Sequence, residues 1–331
     1  MQATFCSQLA IDLPIVQAPM GGASSPALAA AVSNAGGLGM LALSWQSLDA
    51  ARREIRRTRE LTDRPFGVNL VLAFPQEDRL AICLEEEVRL ISFFWGDPAP
   101  FMEQVHRAGA LVATTVPSAA EARRAVDAGV DVIVAQGWEA GGHVRGEVAT
   151  LPLVRAVVEA VGRTPVLAAG GIADGQGLAA ALALGAAGAW IGTRFLASPE
   201  AAIHPRYRDL LLKADETATV HTGLFDGGWP DAPHRVLRNT TYEEWKKAGR
   251  PPPGRRTGEG EVLATDGGRE MRRYQSTTPG PEASGDVAAL SLWAGQSVGR
   301  VCAVKPAAEI VQEIARTAHE VLFSLSAGLK R

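Results

Sequence analysis

Short apolar runs alternate along the first 195 positions with alanine-rich stretches whose apolar residues recur at helical spacing. The runs at 15–18, 39–43, 67–70, 90–93, 111–115, 130–135, 165–169 and 189–192 have strand length. Several are apolar throughout, as parallel strands buried on both faces are. Helix signals lie between them. Ser25 before Pro26 supplies an N-cap and a first-turn proline, Leu28, Ala31, Val32 and Ala35 share a face, and Gly36-Gly37 ends the helix. Ser118 and Glu121 have capping-box spacing, Ala119, Ala122 and Val126 form the stripe, and Gly129 stops it. Asp174 and Gly185 bracket a third helix in the same way. Strands in regular alternation with helices predict an α/β fold, a (β/α)8 TIM barrel. A doubly wound open sheet uses the same units, but no G-x-G-x-x-G follows the first strand and no Walker A sequence occurs, which favours the barrel.

After Phe195 the rhythm stops. Residues 197–285 are richer in Pro, Gly and charge, most plainly in GRPPPGRRTGEGE at 249–261, with Tyr207, Phe225, Trp229, Tyr242 and Trp245 spaced among polar residues. The expected organisation is a barrel core at 1–196, a partly helical insertion after the eighth strand at 197–290 that walls or covers one mouth, and a closing segment at 291–331. An amphipathic helix at about 306–325 falls in the last of these.

Composition narrows the partners. With 331 residues, 47% of them apolar, the chain can bury a large core. Thirty-three Lys and Arg against 36 Asp and Glu leave a net charge of −3, so there is no broad basic field for nucleic acid or an anionic membrane. Cys6, Cys83 and Cys302 are scattered and include no CxxC, which speaks against a disulfide framework or a cysteine metal site and for a reducing cytoplasm. The N-terminus lacks a secretory pattern. The most apolar stretch, 178–191, is broken by Gly185 and Gly188 and reads as a buried helix and strand rather than a membrane span.

In such a barrel the chemistry sits just beyond the C-terminal ends of the strands. AAGGI (168–172) and IGTRF (191–195) follow the seventh and eighth strands, where Gly170, Gly171, Gly192 and Thr193 suit the phosphate of a nucleotide or flavin. AQGWEAGGHVRG (135–146) follows the sixth and gathers an amide, Gln136, a carboxylate, Glu139, two flexible glycines, Gly141 and Gly142, and an imidazole, His143. Flanking glycines allow His143 to be aimed into the mouth, as a base or, protonated, as an anion-binding group. His106 and His319 lie on helical stretches and read as structural. QAPMGG (17–22) offers a stiff, close backbone at Pro19 and Gly21 for a flat ring, with Met20 open to a core role, and Asn69 offers an amide to ring edges or phosphate. No HExxH, paired-histidine metal spacing or G-x-S-x-G is present, and no cysteine falls in these loops.

Together QAPMGG, NAGGLG (34–39), Asn69, AQGWEAGGH, AAGGI, GTRF and AGQ (294–296) resemble the nitronate monooxygenase family, formerly the 2-nitropropane dioxygenases. The resemblance implies an enzyme with one noncovalent FMN. It places Pro19, Met20 and Gly21 beside the isoalloxazine, and Asn69, Gln136, Gly141 and Gly142 in contact with the cofactor. Gly170, Gly171, Ile191, Gly192 and Thr193 would lie around its phosphate, and Gln296 would approach the ring. His143 matches the active-site histidine, which deprotonates a nitroalkane or binds a nitronate whose oxidation by O2 gives a carbonyl compound and nitrite. Val144-Arg145-Gly146 follow His143, where many members have arginine and glycine directly. Related FMN barrels include NAD(P)H-dependent enoyl-ACP and quinone reductases, which is the alternative activity. The partners implied are a small-molecule substrate and O2, for a monomer or homodimer.

Overall fold

The structure, a computed structural model, describes residues 5–328. Eight parallel strands form its centre: β1 (Ile15–Gln17), β2 (Gly39–Ala42), β3 (Phe66–Val71), β4 (Leu90–Phe94), β5 (Leu111–Val116), β6 (Val132–Gln136), β7 (Val166–Ala169) and β8 (Gly188–Ile191). They pair in the order β1-β8-β7-β6-β5-β4-β3-β2. A parallel bridge between Val16 and Leu38 closes the ring, with Leu38 N–H donating to Ile15 O at 2.9 Å and Gln17 N–H to Leu38 O at 3.0 Å. β1 is short, so a side chain completes the seam: the buried Gln17 Oε1 accepts from Met40 N–H at 3.0 Å. The fold is the TIM barrel that the pattern predicts.

Alternation along the strands separates two apolar layers. Val132 and Val134 cluster inside the barrel with Val16, Met40, Leu90, Leu167 and Trp190, while Ile133 and Ala135 join the layer under the helices. Phe5 and Leu9, from the helix Phe5–Leu9, belong to the inner cluster and plug it. Full burial of such a side chain contributes roughly 1.5–3 kcal/mol.

The connecting helices begin where their caps require. Ser25 Oγ accepts from Leu28 N–H at 3.0 Å, Ser118 Oγ from Glu121 N–H at 3.3 Å, and Asp174 Oδ1 from Gly177 N–H at 3.0 Å. The box at Ser118 is half built, because the Glu121 carboxylate turns to Arg145 at 2.6 Å instead. The helix that should follow β8 directly comes much later, as Ala307–Gly328, and packs against Gly175–Ala183 and Pro26–Asn34. Gly175 makes that packing possible: a Cβ there would lie 2.7 Å from Ile314 O.

The insertion lies between β8 and this last helix. It holds the helices Pro205–Lys213 and Thr240–Lys247, the antiparallel strands β9 (Thr219–Thr222) and β10 (His234–Leu237), and the hairpin β11 (Val262–Asp266) and β12 (Arg269–Arg272). It has apolar clusters of its own, one around Phe225 and Tyr242 and one around Met271 and Leu290. β10 also pairs with the two-residue strand Gly142–His143, so the insertion extends the loop after β6 as a sheet. Among the described residues no helix is long and apolar enough to cross a membrane.

Candidate active site

A cavity of about 700 Å³ opens at the C-terminal ends of the strands. Pro19, Met20, Gly21, Asn69, Gln136, Gly141, Gly142, His143, Gly170, Gly171, Gly192 and Thr193 all line it. Ile191 and Gln296 do not. Ile191 is fully buried in the layer under the helices, paired in register with Gln17. At the AGQ segment it is Gly295 and Ser297 that line the cavity, and the Gln296 main chain donates to Glu139 O at 2.9 Å. The glycine explains the motif: a Cβ on Gly295 would lie 2.8 Å from Glu139 O, and one on Gly141 would lie 2.6 Å from the Ala294 carbonyl carbon. Two backbones therefore meet where side chains cannot fit.

His143 is fixed first by its backbone. Gln136 Nε2 donates to His143 O at 3.1 Å, Val144 N–H donates to Pro233 O at 2.8 Å, and His143 pairs with His234 across the strands. Its ring stacks on Trp229, with centroids 4.0 Å apart and an interplanar angle of 30°, and Trp293 lies 5.2 Å away at 37°. Trp95 presents an edge-type contact at 6.0 Å, and Ser276 Oγ lies 3.4 Å from Nε2. Burial, and then the neighbouring His234, push the imidazole pKa down to about 3. His234 is itself held neutral, its pKa lowered to about 4 chiefly by burial. Its Nδ1–H donates to Ala232 O at 2.8 Å and its Nε2 accepts from Phe225 N–H at 3.2 Å. The site thus presents a neutral imidazole among aromatic rings.

The loops after β7 and β8 and the end of β3 complete the lining of the cavity. Gly170 and Gly171 adopt φ of 102° and 73°, a backbone path that favours glycine and turns main chain toward the cavity. Thr193 Oγ1 accepts from Gly295 N–H at 3.0 Å, which leaves its hydroxyl hydrogen to donate. Asn69 Nδ2 donates to Ser92 O at 3.0 Å and to Ser92 Oγ at 3.2 Å, so Oδ1 is the acceptor left over. A planar ring system with one phosphate fits this donor set. Glu139 has a different use: its carboxylate accepts from Thr150 N–H at 2.8 Å and Thr150 Oγ1 at 2.9 Å. It caps a helix whose N-cap residue, Ala149, has no side chain to do so.

The insertion supplies what motif reading missed. Trp229, Ser276, Thr278 and Trp293 reach the cavity from far along the chain. Thr278 Oγ1 donates to Gly21 O at 2.6 Å and accepts from Trp293 Nε1 at 2.9 Å, which ties the insertion to the loop after β1. Trp229 stood out in sequence as an aromatic in a polar segment, but nothing there pairs it with His143. No group of three or more His, Cys, Asp or Glu among the described residues is arranged to hold a metal ion.

Fold and site define a (β/α)8 barrel whose cavity brings glycine-rich loops after β7 and β8 together with a half-buried, neutral imidazole. The family model described as nitronate monooxygenase matches residues 3–80 and 72–317. A nitronate monooxygenase of Paraburkholderia phytofirmans is 35% identical, over 93% of each chain. A "(3aS,4S,5R,7aS)-5-hydroxy-7a-methyl-1-oxo-octahydro-1H-indene-4-carboxyl-CoA dehydrogenase" of Mycobacterium tuberculosis is 39% identical over 73% of this chain and 68% of its own length. Among solved structures, FabK from Thermotoga maritima superposes with a TM-score of 0.85 at 36% identity, covering 99% of each chain. A nitroalkane oxidase from Streptomyces ansochromogenes gives 0.77 at 31% identity, over 95% of this chain and 98% of its own. The chain belongs to the nitronate monooxygenase family. It is an enzyme, an oxidoreductase of a flavoprotein family.

Proposed function

We propose that the protein holds one noncovalent FMN and oxidises alkyl nitronates, or the nitroalkanes that give rise to them, with O2 to a carbonyl compound and nitrite. The observation that carries this reading is a neutral His143 lining the same cavity as the glycine-rich loops after β7 and β8, in a chain of this family. One such loop pair suits one phosphate, hence a mononucleotide. The Gly170, Gly171 and Gly192 backbone with the Thr193 hydroxyl would hold that phosphate. Pro19, Met20 and Gly21 would flank the ring, and Asn69, Gln136 and Gly141 would meet its polar edges. FMN, when bound, supplies electron transfer from the substrate and the reaction with O2.

The chain's own part is proton transfer and the setting for it. A neutral imidazole accepts the proton on the carbon bearing the nitro group, and the nitronate formed beside it offsets the charge the imidazole gains. Trp229 and Trp293 pack on the imidazole and lower the polarity around that pair, which strengthens their attraction. The lowered pKa of His143 leaves the resting imidazole unprotonated at neutral pH, and so able to accept a proton, in place of an imidazolium that waits for an anion. The test is aerobic turnover of an alkyl nitronate and its parent nitroalkane with nitrite detection. Nitrite from the nitroalkane well above a His143→Ala control is expected, and absence of nitrite from both substrates with FMN-loaded protein would reject the reading.

A second reading has its own support. The likeness to FabK favours an NAD(P)H-dependent reduction on the same barrel. Anaerobic mixing with NADH or NADPH separates the two, because rapid bleaching of the flavin band is expected only of a reductase.

A further inference from the structure

Trp45, in the loop that follows β2, is 53% exposed and yet lines the active-site cavity. Single exposed apolar residues are ordinary on a protein surface, and Phe323 on the last helix, more exposed still, does not line it. Trp45 differs in its place. From the imidazole of His143 one aromatic wall of the cavity runs through Trp229, with ring centroids 4.0 Å apart, to Trp45, whose ring lies 5.9 Å from that of Trp229. Trp229 is buried and Trp45 is not, so Trp45 stands at the rim.

The loop fixes this indole and leaves it open. Just before it, the buried Ser44 Oγ accepts from Val71 N–H at 2.8 Å. Just after it, Gln46 N–H donates to Leu43 O at 3.1 Å, and Gln46 O accepts from Arg79 Nε at 2.9 Å. Gly21 brings the loop after β1 against the ring, where a Cβ would lie 3.2 Å from Trp45 Cζ3. Phe74 and Trp229 meet the ring at 67° and 53°, so neither lies flat on it. The indole N–H of Trp45 has no hydrogen-bond acceptor among the described residues, whereas those of Trp245 and Trp293 donate to Pro251 O and Thr278 Oγ1. A side chain held in place with a face and a donor unspent suits a flat, apolar ligand group.

We propose that Trp45 is a specificity-determining residue. It receives an aryl group that the substrate carries beyond its reacting carbon, and so makes aryl-substituted nitro compounds better substrates than short nitroalkanes. The occupant is part of the substrate, because Trp45 and His143 line one cavity. This rests on the nitronate reading for the head group, while the rim subsite rests on geometry alone.

The test uses acetamide, phenylacetamide, 3-phenylpropanamide and 4-phenylbutanamide, whose neutral planar heads can donate to an imidazole lone pair without reacting. They are titrated into the FMN holoenzyme and read by the change in flavin absorbance. In the wild type at least one aryl amide is expected to bind about tenfold or more tighter than acetamide, with the best linker length marking the span from head group to rim. In Trp45→Ala the aryl gain is expected to fall at least about fivefold while acetamide changes less than about threefold, and Trp45→Phe is expected to keep most of the gain. The assignment is overturned if Trp45→Ala with wild-type FMN content keeps the aryl gain, or if the wild type binds the aryl amides no more tightly than acetamide. Nitrite formation from nitro compounds is measured separately: its absence in the wild type counts against the nitronate reading, and the amide series still decides the role of Trp45.

Discussion

An imidazole packed against indole rings keeps its lone pair, and at His143 this bears on both the proposed chemistry and stability. His143→Gln is expected to lower turnover of a neutral nitroalkane by about 100-fold or more, the usual scale of a general base, and to lower turnover of the preformed nitronate much less. Parallel kcat/KM measurements on the two substrates check this. The pH dependence has a definite sign. Unfolded histidines take up protons near pH 6.5, whereas His143 and His234 resist them until about pH 3 and about pH 4. Their contribution to stability is therefore complete above about pH 6.5 and falls with acidification, by up to about 1.4 kcal/mol per pH unit for each group. Thermal melts from pH 7.5 to 5 are expected to show this fall, with a shallower slope in His143→Gln. Thr193→Val is expected to weaken FMN about tenfold or more by removing a donor to a charged group, which flavin fluorescence titration measures. His143 was legible in sequence because glycines free its backbone. Its stacking partners were not, since Trp229 and Trp293 reach it only through the fold.

Among the elements, the loop after β6 is the most tightly specified. It is paired to β10, capped onto the next helix through Glu139, and pressed against Ala294-Gly295. Gly141→Ala would force two backbones apart, and the expected loss of about 1–3 kcal/mol, with lower FMN retention, is checked by chemical denaturation and flavin content. The caps at Ser25, Ser118 and Asp174 were readable because each acts within a few residues of its own chain. Glu139 as a cap was not, because it acts across a loop on Thr150. The same limit explains Gln296 and Ile191. The motifs containing them mark the right segments, yet Gly295 and Ser297 reach the cavity in place of Gln296, and strand alternation turns Ile191 outward into the helical layer.

For the whole molecule, the central feature is where the chain departs from the barrel. It leaves after β8, builds one wall of the cavity, and returns to place the helix Ala307–Gly328 against Pro26–Asn34 and Gly175–Ala183. The barrel was legible because buried parallel strands and capped helices repeat. The insertion's contribution was not, because its strands find partners only in the finished structure, β10 on Gly142–His143 above all. The measurement that bears most directly on this picture is nitrite release from a neutral nitroalkane by protein purified with its flavin, alongside His143→Ala carrying the same flavin content. Sustained nitrite formation that drops sharply in the variant is the expected result. Equal release from both, or none from either, would contradict it.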